Sequence, residues 1–174
     1  MTRVAYQSDT PERHPMAGSA GCRICDEVAG RIVAPGGPIY DDGLWLVSHH
    51  TGAWTDAGEV LVKLRRHVES LAEVTAEESA ALGPILRAGA AAIERAVAPE
   101  RVYVMSFNER LRHLHFYILP RTRSLPRGHV MSDLYKRGRA VLRQTGIARN
   151  PTPADRAAMA ERLRADPAWT RLKS

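Results

Sequence analysis

The chain has 174 residues, 44% of them hydrophobic, and a formal net charge of +6. That length suits one globular domain with a core of its own, and no run approaches the roughly 20 apolar residues of a membrane span. Two cysteines in a chain of this size fit free or metal-bound thiols of a cytoplasmic protein better than a disulfide framework.

Residues 1–20 are polar, carry Asp9 and Glu12, and lack an apolar stretch, so they read as a flexible leader and not as a secretory signal. Cys22 and Cys25 follow as a Cys-x-x-Cys, a chelate spacing suited to tetrahedral zinc that needs two further ligands from elsewhere. Pro35-Gly36-Gly37-Pro38 marks a loop. Leu44 to Ser48 and Glu59 to Leu64 are short β-forming runs on either side of a polar turn region. Thr75 and Glu78 form a capping box, in which a hydroxyl and a carboxylate satisfy the first free amides of a helix. Behind it Leu82, Ile85, Leu86, Ala90, Ile93 and Val97 recur at helical spacing. This long helix is expected to bend at Pro84 and to lose about 1 kcal/mol of propensity at Gly89.

Val102 to Phe107 is a third run of strand formers and His113 to Leu119 a fourth. Alternation in the fourth puts His113, His115 and Tyr117 on one face and Leu114, Phe116 and Ile118 on the other. The apolar set wants the long helix, which leaves the polar set to line a cleft. Beyond Pro120 the pattern turns helical and basic, over Met131 to Gln144 and Pro153 to Leu172. From Arg121 onward there are 13 Lys+Arg against 4 Asp+Glu, so the first 120 residues sum to −3. A solvated arginine-rich helix face accounts for this tail; its aromatic residues do not alternate with the charges as single-strand binding requires, and nucleic acid is not an expected partner. Closure of a cleft by the last helix is the alternative role.

Two imidazoles two residues apart on a strand project side by side and can share a metal or flank a phosphate. The surrounding blocks carry a resemblance. Cys22-Arg23-Ile24-Cys25, Lys63 to Leu71 (KLRRHVESL) and His113-Leu114-His115-Phe116-Tyr117-Ile118-Leu119-Pro120-Arg121 are similar, in order and spacing, to the zinc motif, the end of the second core strand and the His-x-His-x-His-x-x signature of histidine triad proteins. The zinc motif is shared with many bacterial members and with galactose-1-phosphate uridylyltransferases.

The resemblance covers about residues 21–122 and implies an α+β fold, an antiparallel sheet of about five strands packed on one long helix. The chain would then divide into a leader 1–20, a histidine-triad-like catalytic domain 21–122 and a basic helical extension 123–174. It further implies structural zinc on Cys22, Cys25, His67 and His113, and His115 as the nucleophile that takes a nucleotidyl group from a nucleotide or nucleotide conjugate. Asn108 stands where related hydrolases contact phosphate, though an asparagine there is equally a turn former. Arg112 and Arg110 could steer phosphate. His49, between Ser48 and His50, stands where members bind ribose, and Trp45 and Trp54 could border a base or simply pack. Homodimers are common among such proteins. Tyr117 takes the place of the third histidine, and the loop Glu109 to Arg112 is short. Both departures leave open a zinc-stabilised nucleotide-binding protein that turns nothing over.

Overall fold

The computed structural model describes residues 21–52, 55–123, 141, 144–146 and 149–172. The expected leader, Trp54 and nearly all of the helix expected over 131–144 lie outside the described residues. The elements are α1 (Arg23–Val28), β1 (Pro38–Asp41), β2 (Trp45–His49), β3 (Val60–Leu64), α2 (Ala76–Val97), β4 (Arg101–Met105), β5 (His115–Arg121), α3 (Pro153–Arg164) and α4 (Pro167–Thr170). The five strands form one antiparallel sheet in the order β1-β2-β3-β5-β4, giving the α+β architecture expected.

Four strands match the β-forming runs read from sequence; β1 was hidden in what read as a loop. Its signal is too short to show, with Pro38 at its start and a register irregularity between Pro38 and Tyr40, features that an edge strand tolerates. The capping box opens α2 as expected, with Glu78 N–H donating to Thr75 Oγ1 and Thr75 N–H to Glu78 Oε2. α2 runs unbroken through Pro84, which sits on the exposed side of the helix. Its buried side is made by Glu78, Ile85, Ala88, Gly89, Ala92 and Ile93. A β-carbon at Gly89 would come within 2.5 Å of Ile118 Cδ1 and 3.4 Å of the Trp169 ring. The glycine therefore trades helix propensity for close approach.

Two of the sheet's faces differ in kind. Val47, Val62, Phe116 and Ile118 face α2 and form the core with Trp45, Leu64, Ile85 and Ile93. Ser48, Lys63, His115 and Tyr117 share the opposite face by register. α1 is tied down on that side through Cys25 and Glu27.

The C-terminal helices do not behave as a solvated tail. Ala160, Leu163, Ala168 and Trp169 are buried in the same core cluster as the sheet. Trp169 stacks on Tyr40 at 5.1 Å, Arg95 pairs with Asp166, and Arg164 bonds to the carbonyls of Gly36 and Pro38. Charge hid this packing in the sequence. Arg149, Arg156 and Arg164 serve the contacts around α3, and the segment's few apolar residues carry the burial. Gly36, at a φ of +76°, lets α3 in; a β-carbon there would lie 2.7 Å from Ala160 Cβ. Among the described residues no helix is long and apolar enough to cross a membrane.

Candidate metal centre and nucleophile

Cys22 caps α1 with its sulfur toward the Cys25 amide at 3.5 Å, so one helical turn sets both thiols on the same side. His67 follows β3, where Arg66 holds the Glu78 carboxylate with two bonds of 3.0 and 2.8 Å and so fixes the strand end to the α2 N-terminus. His113 sits just before β5. The four residues, far apart in sequence, bring one ligand atom each to within 4.8 Å of one another. Cys25 Sγ lies 3.2 Å from His67 Nδ1 and 3.4 Å from His113 Nδ1, and Cys22 Sγ lies 3.5 Å from His113 Nδ1. Ligands 2.0–2.3 Å from a tetrahedral zinc ion stand about 3.5 Å apart, so the donor set and its spacing fit that metal.

Protonation agrees with this. His113 Nε2–H donates to the Leu64 carbonyl at 2.7 Å, which leaves Nδ1 bare toward the sulfurs. Burial pushes the His113 pKa down to about 4, keeping the imidazole in its ligating neutral form. Burial and the neighbouring Cys22 thiol push Cys25 up to about 11; a dication among the sulfurs would reverse that preference.

His115 is one side chain further along the same strand face. Its Nδ1–H donates to the His113 carbonyl at 2.6 Å, so the lone pair is on Nε2, which has no partner among the described residues. Burial holds its pKa below the ordinary 6.5. The ring meets Tyr117 edge-on at 5.1 Å, and the Tyr117 ring lies tilted against His50 at 5.6 Å. Burial raises the Tyr117 pKa, so its hydroxyl stays a protonated donor. His115 is only 2% exposed. The His115 side chain is thus almost wholly covered, while Tyr117 and His50 beside it are half-buried, and two cavities of the molecule open elsewhere, beside Ala57 and α3 and along β1.

The other expected contacts divide. Asn108 adopts a φ of 52° and its Oδ1 accepts from the His115 amide at 3.4 Å, so it holds the start of β5. His49 is fully buried, its Nδ1–H donating to the His50 carbonyl at 2.9 Å and its Nε2 accepting from the Gly58 amide at 3.2 Å. Both of its nitrogens are spent on the turn that follows β2. Arg112 is 64% exposed and lies 3.9 Å from Glu69, on the metal side of the signature. Trp45 is a core residue, its Nε1–H bonded to the Glu78 carbonyl at 2.9 Å.

Sequence reasoning missed a charged network beside His115. Lys63, 1% exposed, donates to Glu27 Oε2 at 2.8 Å and Ser48 Oγ at 2.6 Å; Thr51 donates to Glu27 Oε1 at 2.6 Å. The signal was a lone lysine inside Val60-Leu61-Val62-Lys63-Leu64, on a strand otherwise apolar.

No protein-family model and no curated protein sequence matches the chain. Solved structures do. A zinc-bound histidine triad family protein from Mycobacterium smegmatis aligns with a TM-score of 0.60 at 22% identity, over 90% of this chain and 98% of that one. A hypothetical histidine triad nucleotide-binding protein from Sulfolobus tokodaii aligns at 0.59 and 16% identity, over 87% and 94%. A Hit-like protein involved in cell-cycle regulation from Bartonella henselae, solved with an unknown ligand, aligns at 0.57 and 19% identity, over 80% and 92%. The chain has the histidine triad fold.

Proposed function

We propose that the protein is a nucleotide hydrolase or nucleotidyl transferase that works through His115, with a structural zinc ion held by Cys22, Cys25, His67 and His113. The observation that carries this reading is the His115 tautomer: a proton fixed on Nδ1 by the His113 carbonyl and a free lone pair on Nε2. In the first step Nε2 attacks the α-phosphorus of a nucleotide, a P–N bond forms, and the P–O bond to the leaving group breaks with its electron pair on oxygen. In the second, water or another hydroxyl attacks the same phosphorus and loses its proton, the P–N bond breaks, and the neutral imidazole returns. The His113 carbonyl stabilises the positive charge that the ring carries in between. Tyr117 donates a hydrogen bond to a phosphate or leaving-group oxygen; with a pKa raised above 10 it shuttles no proton near neutrality. Asn108 positions the nucleophile by holding the His115 amide.

His115 lies almost wholly buried, with little of its ring open to a nucleotide. That burial, with tyrosine in the third signature position, favours a second reading in which a nucleotide is bound and not turned over. Incubation with a panel of nucleotides labelled at the α-phosphorus separates the two. Acid-labile label that is retained by the wild type and absent from His115→Asn supports the enzyme; saturable binding with no label in any case leaves the binder.

A homodimer joined at the β4 edge is part of the same proposal. β4 has no neighbour on its outer side among the described strands, and Val104 on it and Phe107 just beyond it are 44% and 46% exposed. Sedimentation equilibrium should give twice the chain mass, reduced to one chain by Val104→Lys.

A further inference from the structure

A lysine in the middle of a sheet is costly. Its ammonium gives up hydration that a single carboxylate restores only in part, and a buried ion pair contributes no more to folding than an apolar pair of the same volume. Lys63 is the lysine in question. Its β3 neighbours Val60, Leu61, Val62 and Leu64 are all buried and apolar. Packing alone would be served by another aliphatic residue at this position.

Its placement is specific. Lys63 and His115 are Cα partners across β3 and β5, so their side chains leave the sheet on the same face as direct neighbours. The His115 imidazole feels both charges of the pair, Lys63 disfavouring its protonation and Glu27 favouring it. The ammonium has three protons. Two go to Glu27 and Ser48, and the third has no acceptor among the described residues. Glu27 is itself held from its other side by Thr51 at 2.6 Å and Arg23 at 3.4 Å. The cluster of Arg23, Glu27 and Lys63 thus carries one positive charge in excess beside a nucleophile that the network does not bond.

Resting on the nucleotidyl transfer proposed above, we infer that Lys63 is a substrate-binding residue of that site, its spare N–H and the cluster's excess charge receiving the phosphate that His115 attacks. Glu27 and Ser48 hold the ammonium in place until an anion arrives. Glu27 also competes with that anion for the lysine, so it sets how strongly phosphate is drawn. The residue therefore selects phosphorylated ligands over the same ligands without phosphate.

The test is calorimetric titration of the zinc-loaded protein with the four nucleoside 5′-monophosphates and with the four nucleosides. Wild type should prefer a monophosphate to its nucleoside. Lys63→Met, which fits the buried site without charge, should weaken the monophosphate by about tenfold or more and leave nucleoside affinity unchanged, since a charged hydrogen bond is lost only to phosphate. Glu27→Gln should act in the opposite direction and tighten the monophosphate, because the lysine loses its competitor. A purely structural role would weaken both ligands alike, and that result overturns the assignment. So does an unchanged preference in Lys63→Met, which leaves the His115 reading standing. Wild type that binds monophosphates no better than nucleosides overturns both. Should Lys63→Met fail to fold or to retain zinc, Glu27→Gln decides: unchanged or weaker monophosphate binding refutes the role.

Discussion

A histidine bonded through one ring nitrogen presents the other in a defined state, and three histidines here use that rule differently. His113 donates its Nε2 proton to Leu64 and turns Nδ1 toward the thiols; His115 donates its Nδ1 proton to His113 and leaves Nε2 free. In His115→Asn the amide nitrogen can still reach the His113 carbonyl while the proposed nucleophile is gone, so label is expected to vanish with zinc content intact. Cys22→Ser removes a metal ligand while leaving a hydroxyl able to cap α1; the expected result is loss of zinc by atomic absorption and a lower melting temperature. His50 is the third case. Its Nδ1 accepts from the Gly52 amide at 2.9 Å, and burial pushes its pKa down to about 4 from an ordinary 6.5. A base depressed in the folded state takes up its proton first in the unfolded state, so the neutral form's contribution to stability is whole above about pH 6.5 and falls as pH drops toward 4. His50→Asn keeps an acceptor for Gly52 but cannot titrate. Urea midpoints measured over that range should therefore fall less steeply in this variant than in the wild type.

At the level of elements, ends and approaches matter more than propensity. α2 ends on Ala98 at a φ of 48°, with its N–H bonded to the Glu94 carbonyl at 3.0 Å. An alanine in the left-handed region costs about 1 kcal/mol that glycine avoids, so Ala98→Gly should stabilise the fold by up to that amount in chemical denaturation. Gly89 has the reverse logic. Alanine there gains about 1 kcal/mol of helix propensity, yet its methyl would stand 2.5 Å from a fully buried Ile118. Overpacking costs about 1–3 kcal/mol, and Gly89→Ala should be destabilising on balance. Ridge and groove here were set by the small residues of the helix, which periodicity of large apolar residues could not show.

For the molecule as a whole, the chain cannot be cut after β5 without opening its core. Trp169 is 5% exposed, donates from Nε1 to the Leu163 carbonyl at 2.9 Å, and lies between Tyr40 and α2. Trp169→Ala is expected to cost about 3–5 kcal/mol in urea denaturation, and a chain ending at residue 150 to lose cooperative unfolding. Arg156, 7% exposed, adds a bond of 3.0 Å to the Gly52 carbonyl, so α3 also braces the turn that follows His50. This makes the C-terminal helices part of the scaffold behind the site.

What could be read from sequence was what local chemistry dictates: a capping box announces α2, alternation over His113 to Ile118 assigns the two faces of β5, and the Cys-x-x-Cys names two thiol ligands, to which the family resemblance added His67 and His113; the four then meet in space. Residues that act at a distance were not legible. Nothing in Val-Leu-Val-Lys-Leu says that Glu27 waits across α1 for the lysine, and nothing in Pro153 to Leu172 says that Leu163 and Trp169 reach the sheet. Such contacts join segments with no shared period, and their energy depends on which surfaces the sheet order β1-β2-β3-β5-β4 brings together. The tautomer of His115 is of the same kind. Sequence placed the ring on the strand; only the backbone geometry, which turns the His113 carbonyl onto Nδ1, decided which nitrogen is free.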